Sequence, residues 1–188
     1  MSSSIQPDGW TKAAVILAIF AAPPHDVIFI ERAGHLRKHA GQIGLPGGTE
    51  DPIDDGKPET TALRELYEEL GVSSERIRIL GRLPEHEQFS NRFLVTPIVG
   101  VIESGTKLVI DESEIVGFFT VPLDSIVGNA LYEDVQLSLL RGRKMYALDF
   151  EGRHIWGLTG RILKTFADTW NAPESSLRRD VEAAFGER

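Results

Sequence analysis

Three carboxylates within five positions, Glu65, Glu68 and Glu69, are the residues of this chain best placed to do chemistry. In a helix, at about 100° per residue, they fall on one face. Leu63, Leu66, Tyr67 and Leu70 fall on another, so one side is expected to pack inward and the other to concentrate acid. Like charges at these spacings cost a helix a few tenths of a kcal/mol per pair. A hard divalent cation, Mg²⁺ or Mn²⁺, would reverse that penalty, because such ions take carboxylate oxygens. Arg64 stands four residues before Glu68 and can hold that carboxylate in place. The ordinary alternative is a solvated acidic face. Against it stands the preceding loop, Leu45-Pro46-Gly47-Gly48. Glycine lets backbone approach a ligand closely, so a carbonyl near Gly48 could complete an oxygen cage on the same ion. Pro58 suits the first helical position and Gly71 the residue just past the end, which bounds the helix.

Loop, glycine pair and helix together resemble the Nudix box, the signature of hydrolases acting on nucleoside diphosphates linked to another moiety. That pattern runs G, five residues, E, seven residues, R-E-U-x-E-E-x-G-U, with U apolar. Gly48 matches its opening glycine, and Arg64 through Val72 match its whole second half. Two departures exist. Asp54 stands where the first Glu is expected, and nine residues rather than seven separate it from Arg64.

The stretch ahead of the glycine pair is dense in donors: Arg32, His35, Arg37, Lys38, His39 and Gln42. In an acidic protein a basic run beside a metal-binding helix suits phosphate recognition; a solubilising loop is the plain alternative. Leu36, His39, Gly41, Gln42, Pro46, Gly47 and Gly48 also resemble the extra motif of the coenzyme A diphosphatases, L-x-x-H-x-G-Q-x-x-F-P-G-G, with Leu45 in place of Phe. Downstream, Ile155 to Leu163 resembles the I-W-G-x-T-x-x-I-L tail element of the same group. Trp156 within it reads as core.

These residues need elements to position them. Ala13–Phe20 is continuous and apolar, a buried strand, and Val27–Ile30 is a second, close enough to pair antiparallel. Arg76–Leu83 alternates as a strand, followed by a polar loop, 84–92, carrying Glu85, His86 and Glu87. Phe93–Ile102 is another buried strand, with Pro97 suggesting an edge or an irregularity. Glu114 reads as a solvated loop acid before the strand Ile115–Val121, and Pro122-Leu123-Asp124 opens a short helix or turn. Glu151-Gly152 suits a hairpin between 144–150 and 153–156. Leu158, Ile162, Phe166 and Trp170 make a helical stripe, and Leu177, Val181 and Phe185 mark a last short helix whose docking is open.

The bounds are those of an ordinary soluble globular protein. The chain has 188 residues, 41% hydrophobic and 26% charged, with a net charge of −8 and no cysteine. That acidity argues against general nucleic-acid binding, which needs a basic surface, but not against a nucleotide substrate, since a metal supplies positive field locally. Without cysteine there is neither disulfide nor thiolate chemistry. No apolar run reaches the roughly 18 residues of a membrane span, so neither membrane partner nor signal segment is expected and the cytoplasm is the default. Residues 1–9 are expected to be a flexible polar segment and 10–188 a single domain. Oligomeric state is open, a homodimer included.

The resemblance implies the Nudix fold, a mixed β-sheet sandwiched between α-helices in the α/β (α+β) class. The alternation of strands with two strong helices fits such layers. It implies a divalent metal, Mg²⁺ or Mn²⁺, on Glu65, Glu68, Glu69 and a carbonyl near Gly48, with Glu65, Glu68 and Arg64 in the catalytic group. The small-molecule substrate would meet Arg32, Arg37, Lys38, His39 and Gln42. Glu65, Glu85, Glu87 and Glu114 all stay open as the proton acceptor. Three functions compete: coenzyme A diphosphatase, a hydrolase of ADP-ribose or a nucleoside triphosphate, and a non-catalytic nucleotide-binding module.

Overall fold

The computed structural model describes residues 9–32, 43–90, 92–128, 130–142 and 144–186. Residues 1–8 and 33–42 lie outside it, and with them the expected N-terminal segment and the candidates Arg37, Lys38, His39 and Gln42.

The sheet starts from the apolar run read above. β1 (Thr11–Phe20) alternates its side chains between two buried faces. Leu17 and Ile19 join one apolar cluster, while Ala14, Ile16 and Ala18 join the other. Burial on both faces is why this strand is continuously apolar rather than alternating. β2 (Asp26–Arg32) returns antiparallel to β1, as expected. The short strands β3 (Ile43–Gly44) and β4 (Gly47–Thr49) pair with β2 and β1. α1 (Pro58–Leu70) follows, and then β5 (Ile77–Arg82), β6 (His86–Gln88) and β7 (Phe93–Ile102). β8 (Ile115–Pro122) pairs antiparallel with β2. The sheet runs β3-β2-β1-β7-β5, with β4 also paired to β1, β6 to β7 and β8 to β2. β1 and β7 run parallel over their full lengths, and the other pairs are antiparallel.

Pro97 lies in a central strand, between β1 and β5, so of the two places expected for it the irregularity holds and the edge does not. β7 is paired to β5 as far as Ile98 and to β6 from Val95, so Pro97 sits where the neighbour changes. A residue without an N–H is tolerated at such a break, and its carbonyl still accepts from Leu83 N–H at 2.9 Å. The polar loop 84–92 is partly a strand, because His86–Gln88 pairs with Phe93–Val95.

After β8 come α2 (Leu123–Val127), β9 (Leu131–Glu133) and α3 (Val135–Arg141). β10 (Tyr146–Phe150) and β11 (Arg153–Ile155) form the expected hairpin and, with β9, a small second sheet. Glu151 and Gly152 both hold positive φ in its turn. α4 (Gly157–Asn171) buries Ile162, Phe166 and Trp170, the expected stripe. α5 (Ser176–Gly186) does dock: Val181 is fully buried, with Leu177 and Phe185 packed beside it. One face of the sheet is thus covered by α2, α4 and α5 and the other by α1. This is the mixed sheet between helices of an α+β fold.

Candidate active site

α1 begins at Pro58 and ends at Gly71, whose left-handed φ of 68° lets its N–H return to the Tyr67 carbonyl. Ala62, Leu66 and Leu70 are fully buried against the sheet. The inward stripe is rotated from the one expected. Tyr67 is 60% exposed, and Glu69 lies at 1% beside Leu66 and Leu70. At about 100° per residue Glu69 falls about 20° beyond Ala62, at the edge of the 62–66–70 stripe, whereas Tyr67 falls about 60° beyond Leu70 on the other side. The acidic face is therefore graded: Glu69 buried, Glu65 part-buried, Glu68 exposed.

An isolated ionised carboxylate at the Glu69 position would be costly. The glycine loop supplies a partner, with the Gly47 N–H donating to Glu69 Oε2 at 3.0 Å. Gly47 is required by space, and Gly48 by the place of the Glu65 carboxylate. A Cβ on Gly47 would lie 2.3 Å from the Ala14 carbonyl oxygen, and one on Gly48 would lie 2.4 Å from the Glu65 carboxylate. Pairing of Gly47 and Gly48 with Val15 and Ala14 holds this loop on β1, directly against α1.

Glu65, Glu69 and Glu114 each present a carboxylate oxygen within 4.8 Å of the others. The third comes from the turn before β8. That turn is pinned to the C-terminal end of α1, because Val109 N–H donates to the Leu70 carbonyl and Asp111 N–H to that of Glu69. The Asp111 carboxylate closes it by accepting from the N–H and hydroxyl of Ser113. Glu114 is thus a member of the carboxylate group, not the solvated acid its sequence suggested. Glu68 lies outside this group. Three crowded anions suit a hard divalent cation, which requires oxygen donors. Burial also pushes the Glu65 carboxyl up against the pull of Arg64 beside it.

Arg64 organises the side of the site away from the core. Its Nε and Nη2 fork onto both oxygens of Asp54 at 3.1 and 3.0 Å. Nη2 also donates to the Thr49 carbonyl at 2.9 Å. Nη1 donates to Glu65 Oε1 at 2.8 Å and to Glu68 Oε2 at 2.9 Å. Asp54 is fully buried and further accepts from Thr61 Oγ1 and the Asp51 N–H. The Arg64 guanidinium holds its carboxyl down at about 2. The long connection to α1 does not prevent this contact. A 3-10 turn at Pro52–Asp54, followed by left-handed Asp55 and Gly56, takes up the added length. Asp54 thus positions Arg64, and Arg64 positions Glu65 and Glu68.

Glu65, Gly48 and Thr49 open onto a cleft of about 1000 Å³. Its opposite wall carries Phe89, Arg141, Trp156, Leu158 and Arg161. Trp156, read from the sequence as core, is 37% exposed and stands immediately before α4. Arg32 closes β2 opposite Ile115; its side chain, like residues 33–42, is not among those described. Of the remaining loop acids, Glu85 accepts from Thr96 Oγ1 at 3.1 Å, and Glu87 is exposed on β6. Neither belongs to the carboxylate group.

Residues 10–139 match the NUDIX domain. The uncharacterized Nudix hydrolase NudL of Yersinia pestis (strain Pestoides F) is 34% identical over 157 residues, which cover 83% of this chain and 78% of that protein. Among solved structures, a MutT/nudix family protein from Enterococcus faecalis superposes with a TM-score of 0.59 at 17% identity, over 99% of this chain and 71% of that one. A nudix hydrolase family member from Chromobacterium violaceum gives 0.55 at 17% identity, over 96% and 92%. At such identities the two structures speak to the fold.

Proposed function

The chain belongs to the NUDIX family, whose members are pyrophosphohydrolases, and we propose that it is the family's metal-dependent diphosphatase for coenzyme A or its thioesters. The observation that carries the metal-dependent part is the convergence of Glu65, Glu69 and Glu114 from two distant segments within 4.8 Å. In this reading Glu65, Glu69 and Glu114, with a carbonyl near Gly48, would hold Mg²⁺ or Mn²⁺, and Glu68 completes the acidic face. A bound divalent cation neutralises diphosphate charge and makes a water more acidic.

The chain's own residues do the rest. Water attacks one phosphorus, the bridging P–O bond breaks, and the other phosphate leaves with that oxygen. The attacking water's proton passes to a carboxylate. Glu65 is assigned this role, since it lines the cleft. Glu69 is engaged by the Gly47 amide and Glu85 by Thr96. Arg64 keeps Glu65 oriented while Asp54 keeps Arg64 oriented. The products would be phosphopantetheine and adenosine 3′,5′-bisphosphate.

The coenzyme A assignment is supported by the likeness of Leu36–Gly48 and Ile155–Leu163 to the motifs of that group. A cleft of about 1000 Å³ also accommodates a substrate extending well beyond a diphosphate. Here Arg32, Arg37, Lys38, His39 and Gln42 would contribute to substrate binding from the segment ahead of β3. The test is hydrolysis of coenzyme A, acetyl-coenzyme A, ADP-ribose and nucleoside triphosphates with Mg²⁺ or Mn²⁺. Preferred, metal-dependent release of adenosine 3′,5′-bisphosphate is the expected result. Faster turnover of ADP-ribose or a triphosphate would assign the same chemistry to another nucleoside diphosphate derivative.

A further inference from the structure

The cleft carries positive charge that the hydrolytic chemistry does not use. In a chain of net charge −8, its charged lining residues among those described are Glu65, Arg141 and Arg161. Glu65 belongs to the carboxylate group; the two arginines come from the other wall. Arg161 is held in place, since its Nη1 donates to the Glu87 carbonyl at 3.1 Å. Burial of His86, with the Arg161 charge second, keeps that imidazole neutral at ordinary pH. Arg161 therefore adds its charge to a cleft wall whose adjacent histidine adds none. Arg141 is exposed at the end of α3, beside Gly142, which also lines the cleft. Trp156 lies between these arginines in sequence and presents a partly exposed indole to the same space.

Guanidinium groups suit phosphate, and an exposed indole suits a flat base. We propose that Arg141 and Arg161 bind a second phosphate of the substrate, one that is not cleaved, on a nucleoside packed against Trp156. The cleft then selects nucleotides phosphorylated at a position away from the scissile diphosphate. The proposal deepens the coenzyme A reading and rests on it for the substrate class. It places recognition of the 3′-phosphate on the wall built by α3 and α4, opposite the metal-binding helix. Such a phosphate adds about two negative charges and three acceptor oxygens. One charge-assisted hydrogen bond to it gives about tenfold to a hundredfold discrimination.

The test needs no turnover. Calorimetric titration of the whole protein compares adenosine 3′,5′-bisphosphate with adenosine 5′-monophosphate at low salt. The titration is repeated on Arg141→Ala, Arg161→Ala, the double variant and Arg161→Lys, with melting temperatures checking that each is folded. The expected result is binding of the bisphosphate at least about tenfold tighter by the unaltered protein. The double variant should lose that difference, and Arg161→Lys should keep part of it. Equal affinities in the unaltered protein, absence of binding included, overturn the proposal. So does a difference that survives in the folded double variant. Hydrolysis is measured separately, so a chain that cleaves some other nucleotide fails the substrate assignment without touching this result.

Discussion

The two walls of the cleft are built differently. On the α1 side every functional group is over-determined. Arg64 makes five hydrogen bonds to four residues, Asp54 has no exposed surface, and Gly47 has no room for a methyl group. On the α4 side, Trp156 and Phe89 stand partly in solvent and Arg141 is exposed. Phe89 has an edge-to-face contact with Trp10, and Arg161 donates to the Glu87 backbone carbonyl. The lesson is a division of labour. A reacting centre must hold its groups to a fraction of an ångström, so it is placed on a helix and braced from behind. A wall that only has to recognise the rest of a substrate can be made of exposed aromatic and cationic side chains on element ends.

Substitutions on the two walls should therefore fail in different ways. The largest effect is expected for Glu65→Gln, with kcat/KM down by about 10² or more at saturating Mg²⁺ and the melting temperature little changed. A folded variant with near-native turnover would break the comparison at its strongest point. Glu69→Gln is a less clean probe than the sequence suggested, because Glu69 is buried and bonded to the loop. Next comes Gly48→Ala, whose added methyl meets the Glu65 carboxylate. It should lower kcat by about tenfold or more through a displaced Glu65, consistent with the sensitivity of such centres to small shifts. Trp156→Ala should instead raise KM several-fold and leave kcat nearly intact, as loss of uniform binding does. A Trp156 variant with lowered kcat and unchanged KM would erase the distinction between the walls.

A smaller effect comes from pH. Burial first, and Arg161 second, lower the His86 pKa to about 4, against an unfolded value of about 6.5. The folded state then binds fewer protons than the unfolded state between these values, so stability falls as pH drops through that window. The expected loss is about 1–3 kcal/mol, reduced in His86→Gln. Asp54 titrates elsewhere: its stabilising contribution is complete above pH 3.8 and lost as pH falls towards about 2. Denaturant unfolding at pH 7, 5.5 and 4.5 reads the His86 part, and a flat dependence in the unaltered protein would contradict it. The smallest effect is Tyr67→Ala, expected within about 0.5 kcal/mol because the side chain is mostly exposed.

The same division decided what could be read in the sequence. The α1 wall is local: Pro58, Gly71, Gly48 and the Glu65–Glu69 spacing all lie within one short stretch, and the helix bounds and the approach of Gly48 to Glu65 are where the sequence put them. Continuous apolarity gave β1 and β2, and the i, i+4 stripe gave α4. Glu114 was undervalued because it reaches the carboxylates only through contacts made at Leu70 and Glu69, far away in sequence. Pro97 signalled an edge or an irregularity, and the choice between them rested on a break in the neighbouring strand that is invisible locally. Trp156 looked like core because an aromatic before a helical stripe carries no sign of which side it faces. Tyr67 failed for a related reason. Apolar character placed it inward, but the helix phase is set by Ala62, Leu66 and Leu70, and that phase brings Glu69 inside instead.

The central claim is that Glu65, Glu69 and Glu114 together hold the divalent cation on which diphosphate cleavage depends. Mn²⁺ titration followed by electron paramagnetic resonance, on the unaltered protein and on Glu65→Gln and Glu114→Gln, tests it most directly. The account predicts specific binding by the unaltered protein, weakened by about tenfold or more in each folded variant. Unchanged Mn²⁺ affinity in both variants would contradict it.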